Sequence, residues 1–166
     1  MCSVALEFDD PQAAQVLAKA SAALCRGEIR QSCLQGGDAF DEEAYFSVIR
    51  DKTASLFEAA GWLGAYYAGA DTEICLALKR YGGLLGMSFQ IIDDCLDIVG
   101  DEGVVGKSLG SDLELGKMTL PVIRLAQTLS GEDKKRLQEL LVASGSGSER
   151  RDVLGFDRNA VLEPRT

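Results

Sequence analysis

The apolar residues of this chain fall into long runs broken by glycine, proline and acidic residues, and that punctuation reads as helix from end to end. Asp10 followed by Pro11 reads as an N-cap with proline at the first helical position, where its missing N–H does no harm. The alanine- and leucine-rich run behind it reaches Gln35 and stops at Gly36-Gly37. Asp41, with Glu42 and Glu43 behind it, starts a second helix that complements the helix dipole and is expected to continue to about Gly69. Asp71 and Glu73 open a third, long helix ending near Gly100. Residues 100–117 hold five glycines and read as a loop. Two shorter helices are expected, from about Met118 to Leu129 and from Ser130, a plausible N-cap, to Ser144. The fold class is therefore all-α, a helical bundle over residues 1–143. Ser144-Gly145-Ser146-Gly147-Ser148 reads as a flexible linker, and 144–166 as linker and tail.

The third helix carries the candidate chemistry. With Asp93 placed at zero and about 100° per residue, Asp97 falls near 40°, Gln90 near 60° and Asp94 near 100°, with Gly86 near 20° and Gly83 near 80°. Leu84, Leu85, Phe89, Ile91, Ile92, Leu96, Ile98 and Val99 take the rest of the circle. A helix apolar over most of its circumference is expected to be buried, so its carboxylate arc should face a cleft. Charges on Asp93 and Asp97 about 6 Å apart would repel by about 3 kcal/mol at an effective dielectric near 20. Such a cluster holds a proton or binds a cation, and carboxylate oxygens with room for water suit Mg²⁺. The plainer alternative is a solvated acidic stripe. Gly106-Lys107-Ser108 and Gly116-Lys117-Met118-Thr119 place two ammonium groups in the next, glycine-rich segment. They could pair with surface acids, but a site that takes a polyanion through both metal and lysine accounts for both sets. A nucleotide P-loop does not fit, because Asp101 stands where its first glycine belongs and no strand precedes it.

Composition narrows the chemistry further. The 166 residues carry a net charge of -9 and no basic patch, which argues against a nucleic-acid partner. The chain has no histidine, which excludes Ser-His and Cys-His nucleophilic sites and zinc–histidine centres. Its five cysteines form no C-x-x-C pair and read as reduced thiols. No signal-peptide pattern and no apolar run long enough to span a bilayer is present, so a cytoplasmic location is expected.

The run GMSFQIIDDCLDIVGDEGVVGKSLGSDLELGKMTLPVIRL resembles the second aspartate-rich region of trans-isoprenyl (polyprenyl) diphosphate synthases, most like the long-chain type. Its parts are the FQ-x-x-DD-x-x-D block, then G-K, G-x-D and G-K-x-T-L-P. Upstream, Gly27-Glu28-Ile29-Arg30-Gln31 is similar to that family's GE-x-x-Q helix, and Asp51-Lys52-Thr53 before Ala54-Ser55-Leu56-Phe57 to its KT-A-x-L-F helix. The likeness covers residues 5–142 and implies the C-terminal half of such a synthase, with a partial isoprenoid-synthase fold. It further implies that Asp93, Asp94 and Asp97 form the second metal motif, with Asp93 and Asp97 acting on Mg²⁺ directly or through water. By the same resemblance Lys52, Lys107 and Lys117 hold the allylic diphosphate, and Thr53 and Gln90 face the same cavity. The implied reaction ionises an allylic prenyl diphosphate, adds the cation to isopentenyl diphosphate and removes a proton. The family also implies a homodimer or a partner chain, with the alanine-rich first helix at the interface.

The departures matter as much. The family's first DD-x-x-D motif should lie N-terminal to these residues, and Asp9-Asp10 before a proline is no substitute. Three functions remain open: a prenyl-elongating enzyme, incomplete alone; a non-catalytic subunit or pseudoenzyme that binds diphosphate or a partner; and another terpenoid-fold enzyme such as a cyclase, which the G-K-x-T-L-P segment disfavours. Lys52 could instead be an ordinary exposed lysine, Cys95 reads as a small core residue, and Trp62, Tyr66 and Tyr67 read as helix packing rather than a cation cage.

Overall fold

The acidic residues that punctuate the sequence do cap the helices. In the computed structural model, which describes residues 10–34, 41–100 and 110–142, Asp10 accepts the Gln12 N–H at 2.9 Å. Asp41 accepts the Glu43 N–H at 2.9 Å, and Asp71 that of Ile74 at 2.8 Å. Behind these caps run α1 (Gln12–Cys33), α2 (Glu42–Ile49) and α4 (Thr72–Val99). Between α2 and α4 lie a single π-helical turn, Arg50–Ala54, and α3 (Ser55–Tyr67). Then follow α5 (Ser111–Glu114), α6 (Leu120–Thr128) and α7 (Gly131–Val142). Among the described residues every regular element is a helix, as expected.

Two expectations need correction. The second helix is not uniform, since the π-turn interrupts it at Arg-Asp-Lys-Thr-Ala. The segment 100–117 is not all loop, because Ser111–Glu114 forms a short helix. Gly106, Lys107 and Ser108 lie outside the described residues, as does the proposed tail 144–166.

The chain divides into two compact units, one of Met1–Arg30 and Phe46–Gln90, the other of Gln31–Tyr45 and Ile91–Thr166. Helix α4 thus gives residues 72–90 to the first and 91–99 to the second. The first unit is packed with small residues. Ala13, Ala20 and Ala23 of α1, Ala54, and Ala59 and Ala65 of α3 are buried. A Cβ at Gly61 would run into the Leu78 carbonyl, and one at Gly82 into the Phe57 carbonyl, so α3 and α4 meet backbone to backbone. Helix α3 ends on Gly69 at φ 77°, with the Ala70 N–H on Ala65 C=O and the Gly69 N–H on Tyr66 C=O. That left-handed C-cap is one glycine accepts without a Cβ penalty. Trp62 stacks on Tyr66 at 4.8 Å, one helical turn along the same helix.

The second unit has a larger-residue core in which Met118, Val122, Ala126, Leu137 and Leu141 cluster, with Ile98, Leu125 and Leu129 against them. Pro121 in the first turn of α6 needs no N–H partner there.

The expectation that α4 is buried on its apolar sides is overturned. Ile74, Leu78, Tyr81, Leu85, Phe89, Ile92, Leu96 and Val99 are all exposed, whereas Asp94 and Asp97 are buried. Periodicity identifies an apolar stripe but not which stripe the fold covers, and here the acids find enough hydrogen bonds to be taken inside.

Candidate functional site

In the first unit three sequence motifs meet. Lys52, in the π-turn, places Nζ 3.2 Å from Glu28 Oε1 of the GE-x-x-Q helix, with its side chain only 22% exposed. Thr53 Oγ1 donates to Gln90 Oε1 of the FQ pair at 2.6 Å. Phe89, beside Gln90, lies 5.8 Å from Phe57 between ring centroids. Arg26 pairs with Asp51 at 3.5 Å, and Arg30 Nη1 donates to Ser47 Oγ at 2.6 Å. The α1 face that carries Gly27 and Glu28 is thereby tied to the segment that carries Lys52 and Thr53. A lysine so placed is a partly shielded cation rather than a free surface charge.

The second unit assembles around the acids. Asp94, 4% exposed, accepts the Tyr45 hydroxyl on Oδ2 at 2.8 Å. Burial, and then the Asp94 carboxylate, push the Tyr45 hydroxyl far above its ordinary value of 10.0. Burial and Asp94 also raise the Cys95 thiol. Asp97, 1% exposed, is a staple. Its Oδ1 accepts the Ser111 hydroxyl at 3.1 Å, its Oδ2 the Asp112 N–H at 3.0 Å, and its carbonyl the Gly110 N–H at 2.7 Å. A buried carboxylate from α4 so caps the four-residue helix α5. That helix closes at Gly116, φ 65°, where the Lys117 N–H bonds Asp112 C=O at 2.9 Å. Lys117 Nζ then sits 2.6 Å from Asp112 Oδ1. Asp93 is half-buried.

The structure therefore brings Thr53 to Gln90 in the first unit, and in the second fixes Asp94 and Asp97 to protein donors and Lys117 to Asp112. Lys107 lies outside the described residues. Sequence reasoning missed Tyr45, which is 49 residues from Asp94 and carries no local signal. It left Asp112 without a role, although the G-x-D element contained it.

Three or more His, Cys, Asp or Glu side chains placed to hold a metal are not found together among the described residues. This does not exclude Mg²⁺, which keeps several waters and takes one or two carboxylates with substrate phosphates rather than an all-protein cage. Asp97 gives both carboxylate oxygens to protein donors, and Asp94 gives one to Tyr45.

The sequence signature of the Polyprenyl synthetase family matches residues 1–153, and the chain belongs to that family. It is 40% identical over 127 residues to the short chain isoprenyl diphosphate synthase of Methanocaldococcus jannaschii, a match covering 76% of this chain and 38% of that protein. It is 47% identical over 119 residues to heptaprenyl diphosphate synthase component 2 of Geobacillus stearothermophilus, covering 70% and 37%. The crystal structure of heptaprenyl diphosphate synthase from Staphylococcus aureus superposes with a TM-score of 0.80 at 31% identity, over 92% of this chain and 47% of that one. The chain thus spans less than half the length of each of these relatives. Among the described residues, no helix is long and apolar enough to cross a membrane.

Proposed function

We propose that this chain carries part of the diphosphate- and metal-binding machinery of a Mg²⁺-dependent trans-prenyltransferase, which condenses isopentenyl diphosphate with an allylic prenyl diphosphate. The observation that supports this best is the meeting of the GE, KT and FQ motifs through Lys52–Glu28 and Thr53–Gln90. Within this reading the Lys52, Lys107 and Lys117 ammonium groups hold phosphate oxygens, with Thr53 and Gln90 as neutral partners on the Lys52 side. Asp93, Asp94 and Asp97 form the metal set in the same reading, with Asp97, and Asp94 through Tyr45, also tied to protein donors. When bound, Mg²⁺ supplies charge neutralisation for the departing diphosphate. On this reading the chain works with a second copy or a partner chain, and the relative named as component 2 of its synthase supports the partner.

Calorimetry with Mg²⁺ and inorganic pyrophosphate tests the site. The expected result is weak, Mg²⁺-dependent binding that Asp93→Ala or Lys117→Ala weakens about tenfold, the loss of one charge-assisted contact. No binding, or binding untouched by both substitutions, would sink the assignment. The isolated chain is expected not to turn over, and product from the purified chain with Mg²⁺ alone would contradict that. A second reading, a non-catalytic subunit, draws on the relative named as component 2 of its synthase. Adding a partner polypeptide that bears another DD-x-x-D motif separates the two. Restored turnover that Asp93→Ala abolishes supports the enzyme, and turnover indifferent to Asp93 supports the subunit.

A further inference from the structure

The π-turn Arg50–Ala54 has a physical cause that the functional reading does not use. In an α-helix the Ser55 N–H would reach Asp51 C=O; here it reaches Arg50 C=O, one residue further back. The Asp51 carbonyl, deprived of that amide, accepts the Ser55 hydroxyl at 2.7 Å. The same hydroxyl lies 3.4 Å from Ala20 C=O, and with one proton to give it serves the nearer carbonyl. Two glycines press on the turn from other helices. A Cβ on Gly27 would lie 2.5 Å from Lys52 N and 2.8 Å from Lys52 Cα. One on Gly86 would lie 2.7 Å from Ala54 Cα and 3.0 Å from the Phe57 ring. The turn is therefore hydrogen-bonded by Ser55 and seated between two surfaces that have no side chain.

We propose that Gly27, Ser55 and Gly86 are positioning residues that hold this π-turn and so set where Lys52 Nζ and Thr53 Oγ1 point. This rests on the reading of Lys52 and Thr53 as diphosphate-binding groups. Isolated π-turns in α-helices are rare and collect at functional sites, because the extra residue re-aims side chains by about 100° at the cost of weaker backbone bonding. Relaxation to α-geometry would return the Ser55 N–H to Asp51 and carry Thr53 away from Gln90. Lys52 would leave Glu28 in the same movement.

Ser55→Ala removes the hydroxyl, and Ser55→Thr keeps it. Pyrophosphate binding in the presence of Mg²⁺ is expected to weaken about fivefold in Ser55→Ala, the equivalent of one lost hydrogen bond, and to return to within about twofold of the parent in Ser55→Thr. Backbone NMR of residues 50–55 is expected to move towards α-helical shifts in Ser55→Ala and in Gly86→Ala, and to stay in place in Ser55→Thr. Unchanged spectra in both Ala variants overturn the inference, as does full affinity in a folded Ser55→Ala protein when Lys52→Ala weakens binding. If the parent chain binds no pyrophosphate, the reading of Lys52 fails instead, and the spectra alone decide whether Ser55 and Gly86 hold the turn. Should Gly86→Ala not fold, the Ser55 pair still gives both readouts.

Discussion

The two units place charged side chains in opposite ways. In the first, Lys52 and Thr53 stand on an irregular turn, partly shielded, with Glu28 and Gln90 at short range. In the second, Asp94 and Asp97 are fully inside, and their oxygens are taken by Tyr45, Ser111 and the Asp112 amide. A half-shielded ion pair exchanges partners more readily than a buried, bonded carboxylate does. Neighbouring acids in one motif therefore need not share one role. A buried carboxylate with both oxygens bonded is costly to redirect, because any new ligand must displace donors that would then be stranded.

The largest expected effect breaks the scaffold. Asp97→Ala leaves the Ser111 hydroxyl and the Asp112 N–H without their acceptor and frees α5, a loss of about 3 kcal/mol in urea unfolding. Asp93→Ala, at a half-buried position, should cost about 1 kcal/mol or less while it weakens Mg²⁺-dependent pyrophosphate binding about tenfold. Equal destabilisation by the two substitutions would erase the distinction between ligand and staple.

That distinction was invisible in the sequence. Asp10, Asp41 and Asp71 announced their helices because a cap acts on amides two or three residues away, and such signals are local. The end of α4 near Gly100 was legible for the same reason. The π-turn was not, since Arg-Asp-Lys-Thr-Ala reads as ordinary helix, and its irregularity is set by Gly27 and Gly86 on other helices. Helical periodicity placed Asp93, Asp97 and Gln90 on one arc, but it could not say that Leu85, Phe89 and Ile92 would lie exposed while Asp97 went inside. That depended on Tyr45 and Ser111, whose separations from their acids, 49 and 14 residues, leave no trace in a local pattern.

Tyr45→Phe is the middle case. It removes one hydrogen bond to a buried carboxylate and should cost about 2 kcal/mol at neutral pH. The sign of its pH dependence follows from the raised hydroxyl. Below its ordinary value of 10.0 the phenol is protonated in both folded and unfolded chains, so its contribution is complete. Above that value the unfolded chain releases the proton and the folded chain keeps it, so stability falls as pH rises. The difference in unfolding free energy between parent and Tyr45→Phe should therefore shrink from pH 8 to pH 10.5. A difference constant over that range would mean that burial and Asp94 do not hold Tyr45 protonated.

The smallest effect belongs to a contact that looks much the same on paper. Arg124 Nη2 reaches Glu42 Oε2 at 2.9 Å, and Gln127 Nε2 reaches Glu42 Oε1 at the same distance, so Glu42 is bonded on both oxygens much as Asp97 is. The difference is water, for the Arg124 side chain is 63% exposed. Solvent screens the pair and replaces whatever bond is broken, so Arg124→Ala should change stability by about 0.5 kcal/mol or less. Its effect should fade further in 1 M salt, while that of Asp97→Ala should not. If Arg124→Ala instead cost as much as Asp97→Ala, the depth of the acid would not be what makes Asp97 a staple, and the number of bonds alone would have to explain it.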